Sequence, residues 1–243
     1  MITHHLPVIS STNEHLAALA EEGAPHWTVV LADTQTGGKG RAGRSWWSPA
    51  GNLYMSVLLR PDLPVERMSR IPILASLAVL TAVRDLGIPV QAKWPNDILL
   101  DGKKVAGILS RVRSEGGRAI WVVTGFGVNI RRPAEAVPDE IRDKIGFLGD
   151  FQGDVDADAL ARGVLENFRS LTTNMEGDAW KEAADRWSDF ALWGVPYLFR
   201  DGARELRGTP LRLADDGGLV MKTRDGTVTV YSGELEESPD SGV

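Results

Sequence analysis

Hydrophobic residues along the chain fall into two kinds of pattern, runs at helical spacing and short continuous runs of strand length. The first helical pattern, Leu16, Leu19 and Ala20, follows Ser10-Ser11-Thr12-Asn13 and stops near Gly23. Ser and Thr at that position are natural N-caps, because their oxygens accept from the open N–H groups of the first turn. Apolar runs over 27–31 and 52–59 predict two strands, the second closed by Arg60-Pro61. Between them, residues 33–51 carry no periodicity. A patternless loop of that length inside a compact domain is usually functional or disordered. Residues 65–86, with Ile73, Leu74, Leu77, Leu80 and Val83, predict a long helix ending at Gly87. Strands are expected over 90–93, 105–113 and 119–128, the last two joined as a hairpin by Gly116-Gly117. Two further helical patterns cover 157–175 and 179–191.

From Gly194 the pattern changes to short β-like runs, 197–200, 211–213, 219–223 and 228–231, separated by Asp-Gly and Gly-Gly turns. That spacing predicts a small barrel-like β module. The expected division is a domain over 1–190, the β module over 191–237 and a polar tail over 238–243.

Composition narrows the function. The formal net charge of −6 argues against generic nucleic-acid binding, which shows a basic surplus, so an anionic ligand needs a local cluster of cations. The absence of cysteine removes disulfides, zinc–thiolate sites and thiol catalysis together. No stretch approaches the roughly 20 apolar residues that span a bilayer, and residues 1–7 lack the pattern of a signal peptide. A cytoplasmic protein with no membrane partner is the expectation.

The patternless loop holds the needed cations. Lys39, Arg41 and Arg44 alternate with Gly37, Gly38, Gly40 and Gly43, and Trp46 and Trp47 follow. Glycines let backbone approach a ligand, while guanidinium groups offer forked donors to phosphate or carboxylate oxygens. On composition alone a solvated basic turn is an equal reading. The spacing is neither that of a P-loop nor that of a dinucleotide fingerprint. A second constellation is Lys93-Trp94-Pro95-Asn96-Asp97, followed by Lys104-Val105-Ala106-Gly107-Ile108-Leu109. Pro95 biases the segment to a turn that presents an amide beside a carboxylate. Gly125-Phe126-Gly127-Val128-Asn129 ends a strand with close backbone approach and a second amide.

Taken in order, Ser11-Thr12-Asn13, Gln35, the Gly38–Trp46 loop, Ser48-Pro49, Asn52-Leu53-Tyr54, Lys93–Asp97, Lys104–Leu109 and Gly125–Asn129 resemble the biotin protein ligases. The resemblance covers most of residues 10–130, and Gly233-Glu234-Leu235 is similar to the end of that family's small SH3-like C-terminal module. It implies an α/β protein (α+β in layout), with a mixed, mainly antiparallel sheet, helices on one face, and the SH3-like barrel appended. It also implies a two-step reaction. Biotin and MgATP form biotinyl-5′-AMP, whose biotinyl group then passes to a lysine of a biotin carboxyl carrier domain.

Carried over by position, Ser11, Thr12, Gln35 and the backbone at Gly38 and Lys39 would hold biotin, with Gly107 beside it. Lys104 and Arg41 would sit where carboxylate meets phosphate, and Arg44 would hold the triphosphate. Trp46, Asn96 and Asn129 would take the adenine. Asp97 would either bind Mg²⁺ or receive the acceptor lysine. Lys39 stands where the family commonly has Arg. Homodimer formation through sheet edges would also follow from the family.

Three other readings fit the sequence less well. A lipoate or octanoate ligase of related fold would need a mostly apolar tunnel in place of the polar Ser-Thr-Asn and Gln35 groups. A DNA-binding repressor would need a further domain ahead of Ser10, and the acidic balance speaks against it. Val220-Met221-Lys222 resembles the Met-Lys pair of a biotin acceptor, but Lys222 is expected inside a strand and Thr223 departs from that pattern. The four histidines, His4, His5, His15 and His26, lack metal-ligand spacing.

Overall fold

A computed structural model describes residues 1–201 and 204–237 of the chain. The expected tail, 238–243, lies outside the described residues. The centre is a seven-stranded sheet in the order β1-β2-β3-β7-β6-β5-β4. Its strands are β1 (Ile2–Ile9), β2 (Thr28–Gln35), β3 (Leu53–Leu59), β4 (Gln91–Lys93), β5 (Asp97–Leu100), β6 (Lys103–Glu115) and β7 (Arg118–Val128). Only β1 and β2 pair in parallel, and every other neighbour is antiparallel. The mixed, mainly antiparallel sheet is therefore as expected. The β6–β7 turn rests on Gly116 and Gly117, both at positive φ (54° and 77°), the left-handed region that tight hairpins require.

The helices are α1 (Thr12–Glu21), α2 (Arg70–Asp85), the single turn α3 (Gly149–Gln152), α4 (Ala157–Thr173) and α5 (Gly177–Ser188). The main core joins one face of the sheet (Val29, Val57, Val122, Phe126) to α2, α4 and α5. Helix α2 is sandwiched between sheet and helices, which is why Ile71 through Leu80 is almost continuously apolar and buried, apart from half-covered Pro72 and buried Ser76. The long helix expected over 65–86 divides, with a 3₁₀ turn over Val65–Ser69 preceding α2.

The structure corrects the placing of all helices on one face. Leu16, Ala17 and Ala20 of α1 pack with Val30, Leu58, Trp121 and Val123 in a separate core. Those sheet residues are sequence neighbours of Val29, Val57 and Val122, so α1 lies on the opposite face. Strand β1 was not foreseen either. It is an edge strand exposed along most of its length, so its sequence lacks a buried alternation, and an edge tolerates Pro7.

Beyond α5 the chain forms a second sheet in the order β11-β10-β9-β8-β12. Its strands are β8 (Tyr197–Asp201), β9 (Arg204–Leu213), β10 (Leu219–Thr223), β11 (Gly226–Val230) and β12 (Glu234–Glu237), all antiparallel. No ladder joins β11 to β12 among the described residues, so the five strands form one open sheet and closure into a barrel is not seen. Lys222 sits inside β10, paired on both sides.

Candidate functional site

One cleft of about 900 Å³ runs between the main sheet, the glycine–arginine loop and the start of β12. Its floor is a cross-strand pair of glycines, Gly107 on β6 opposite Gly127 on β7. A Cβ on Gly127 would come within 2.7 Å of the Trp46 indole, and one on Gly107 within 2.9 Å. Two bare backbones therefore form a flat bed, and a planar ring already lies on it. The Lys104 ammonium stands 5.2 Å from the centre of that ring.

Lys104 pairs with Asp97, Nζ to Oδ1 at 2.5 Å, both side chains about 30% exposed (31% and 28%). The pair spans adjacent strands, β6 and β5. Lys104 is also fixed through its backbone. Its N–H donates to Lys144 O, its carbonyl accepts from Gly146 N–H and from Asn129 Nδ2 (3.2 Å), and a parallel bridge joins it to Ile145. A segment of chain after β7 thus holds the cation at the cleft wall while leaving its ammonium able to change partner.

The N-terminus of α1 lines another part of the cleft with small polar side chains. Ser11 caps the helix by accepting from Glu14 N–H. Gln35 Oε1 accepts from Thr12 N–H (2.8 Å) and Thr12 Oγ1, and Gln35 Nε2 donates to Ser48 Oγ. Ser56 Oγ donates to Thr12 Oγ1 at 2.9 Å, and Asn13 Nδ2 donates to Leu109 O. Small polar groups with settled orientations suit a ligand that carries both N–H donors and a carbonyl acceptor.

The loop is closed over the cleft. It turns at Ala42 (φ 52°) and Gly43 (φ 75°), and Lys39 and Ser45 bridge across its base. Arg41 Nη1 donates to Asn96 Oδ1 (3.1 Å) and to Gly233 O (3.3 Å), while Asn96 Nδ2 donates to Ile108 O. Arg44 pairs with Glu234 at 2.7 Å, and Lys39 lies 3.9 Å from Glu14. Burial draws the Arg41 guanidinium below its usual pKa, opposed chiefly by the nearby Asp97 carboxylate. An arginine starts so far above neutrality that it stays charged, so a cation is held in a water-poor place where an anion gains most from it.

Of the candidates named from sequence, Ser11, Thr12, Gln35, Lys39, Arg41, Arg44, Trp46, Asn96, Asp97, Lys104, Gly107 and Asn129 all line this cleft. Gly38 lies just behind it, where a Cβ would meet Trp46 O at 2.5 Å and Ser48 Oγ at 2.6 Å, so only backbone fits there. Sequence reasoning missed the residues that arrive from far away, Ile141, Asp143 to Ile145 and Gly233 to Glu236. Glu234 carried a signal, a charged residue after the conspicuous Gly233, but no local pattern tells that β12 returns to the loop. Among the described residues no group of three His, Cys, Asp or Glu side chains is placed to hold a metal ion. Asp97 is a single carboxylate already paired with Lys104, so it offers a metal ion at most one protein carboxylate here.

Comparison with known proteins bears on what fills the cleft. The model of the Biotin/lipoate A/B protein ligase family matches residues 5–129. The bifunctional ligase/repressor BirA of Bacillus spizizenii is 35% identical over 236 residues, covering 94% of this chain and 72% of that protein. A biotin–[acetyl-CoA-carboxylase] ligase of Mycobacterium tuberculosis is 30% identical, covering 93% of this chain and 85% of its own length. The biotin protein ligase of Aquifex aeolicus solved with biotin and ATP superposes with a TM-score of 0.85 at 28% identity, over 98% of this chain and 99% of that one.

Proposed function

The chain belongs to the biotin/lipoate A/B protein ligase family, and from that footing we propose that its cleft joins biotin to ATP and passes biotin to a carrier lysine. In the first step a biotin carboxylate oxygen attacks the α-phosphorus of ATP. The bond to the β-phosphate breaks and pyrophosphate leaves. In the second step the amine of a lysine on the biotin carboxyl carrier domain of a carboxylase attacks the mixed anhydride, forming an amide and releasing AMP.

The observation that carries this reading is the Lys104–Asp97 pair beside half-buried Arg41, in a cleft that also presents the small polar groups of Ser11, Thr12 and Gln35. Two anions, a carboxylate and a phosphate, must meet for the first step. Lys104 and Arg41 lower the repulsion between them and stabilise the charge that builds on the phosphoryl oxygens. Arg44 takes the remaining phosphates. Thr12, Ser11 and Gln35 hold the ureido ring, with backbone at Gly38 and Lys39, and Gly107 lies nearer the biotin carboxylate, beside Lys104. The Trp46 indole stacks on the adenine, and Asn96 and Asn129 frame it while bracing Arg41 and Lys104. When Lys104 turns to the substrate, Asp97 is released to meet Mg²⁺ or the incoming lysine.

The reading extends to the architecture. Residues 191–237 act as an SH3-like module that leans on the loop. Strand β5 pairs with β6 only as far as Gly107. The outer half of β6 offers an edge to a second copy of the chain. No helix among the described residues is long and apolar enough to cross a membrane. The lipoate alternative is not better supported, because the cleft presents the polar side chains of Ser11, Thr12, Asn13 and Gln35 among its lining.

Thermal unfolding tests the choice. A ligand at a hundred times its dissociation constant adds roughly 2.7 kcal/mol to native stability, about 5–10 °C for a chain of this size. Biotin is expected to raise the midpoint by that amount and lipoate to leave it in place. A rise with lipoate and none with biotin would overturn the assignment.

A further inference from the structure

A buried arginine far from the cleft is placed against local preference. Arg70, only 4% exposed, is the first residue of α2, where the helix dipole disfavours a cation. Its guanidinium lies 4.8 Å from the Trp180 ring. Nη1 donates to Met175 O at 2.6 Å and Nη2 to Asp215 O at 2.9 Å. The second contact crosses to the turn between β9 and β10. Ser69 Oγ donates to Asp216 O in the same turn, and Trp94 Nε1 donates to Gly217 O at 3.4 Å.

From that turn a path leads to the loop. The Asp216 carboxylate accepts from Gly218 N–H and from the Tyr231 hydroxyl (2.8 Å). Tyr231 lies two residues before Gly233, whose carbonyl holds Arg41, and three before Glu234, which holds Arg44. We propose that Arg70 is a positioning residue for adenylate formation: by fixing the Asp215–Gly217 turn it sets the Gly233–Glu234 clasp on the glycine–arginine loop. It touches no substrate. This rests on the reading of the cleft given above, since only a nucleotide-binding loop makes the clasp matter to catalysis.

Two arms test it, one without substrate. Trypsin cuts after Lys39, Arg41 and Arg44 when the loop opens, and mass spectrometry reads each cut. Arg70→Met is expected to speed loop cleavage about fivefold or more in ligand-free protein, and Tyr231→Phe, at an exposed ring, to do so more weakly. In the second arm Arg70→Met raises KM for ATP about fivefold or more and leaves the biotin dissociation constant within about twofold. In a Glu234→Gln background, Arg70→Met adds less than about twofold to that KM, because both changes release the same clasp.

Unchanged loop cleavage in both variants would overturn the proposal. So would parallel loss of biotin and ATP binding, or effects of Arg70→Met and Glu234→Gln that multiply in full. Should Arg70→Met fail to fold, Tyr231→Phe carries both arms. A wild-type protein without biotin-dependent chemistry would sink the reading of the cleft, while the trypsin arm would still decide whether Arg70 sets the clasp on the loop.

Discussion

Lys104→Ala is expected to lower the rate of biotinyl-5′-AMP formation by about 100- to 1,000-fold, the usual effect of removing one preorganised donor from a transition state. The ammonium lies between Asp97 and the Trp46 ring, pinned through its own backbone by Lys144, Gly146 and Asn129. None of those backbone bonds needs the side chain. The ion pair is partly exposed, so its loss changes stability by less than about 1 kcal/mol. Single-turnover formation of the adenylate, followed beside circular dichroism of the same variant, separates the two effects. A folded variant that makes adenylate at nearly the wild-type rate would remove Lys104 from the reaction.

Arg41→Gly acts on the intermediate instead. Arg41 ties the loop to Asn96 in the main sheet region and to Gly233 at the start of β12 with one guanidinium. A charged hydrogen bond contributes about 1.5–3 kcal/mol, so adenylate release should quicken by about 10- to 100-fold. The reactive anhydride would then reach solvent, where it acylates exposed lysines of bystander proteins. Dissociation of pre-formed biotinyl-5′-AMP, measured by stopped flow, and biotinylation of an unrelated protein added in trans check the two consequences. Retention as long as in the wild type would mean that the loop is held closed by other contacts.

The difference between these two residues explains what could be read from the sequence. The loop, the Trp-Pro-Asn-Asp turn and Lys104 are local patterns, and each lines the cleft. Central elements were legible because burial forces their composition. Strand β3 is buried along its whole length, so Leu53–Leu59 is nearly all apolar. Strand β1 has no such constraint and left no pattern. The side of the sheet taken by α1 depends on which of two adjacent apolar residues, such as Val29 and Val30, it meets, and both are buried.

Partners that are distant in sequence were hidden. Arg41 finds Gly233 across 192 positions, and no spacing rule reaches that far. The amides were legible as polar groups near the site, but not their bracing bonds. Asn96 donates to Ile108 O while accepting from Arg41, and Asn129 donates to Lys104 O. An Asn offers donors and an acceptor together, so identity alone does not say which neighbour uses them. The barrel-like module expected at the C-terminus followed from turn spacing, which specifies hairpins but not whether the edge strands meet.

The central claim is that one cleft activates biotin with ATP, and ATP–pyrophosphate exchange tests it most directly. Labelled pyrophosphate should enter ATP only when biotin is present, with no carrier protein needed, and Lys104→Ala should suppress the exchange. Exchange that proceeds equally without biotin, or that requires lipoate or octanoate in its place, would contradict the account.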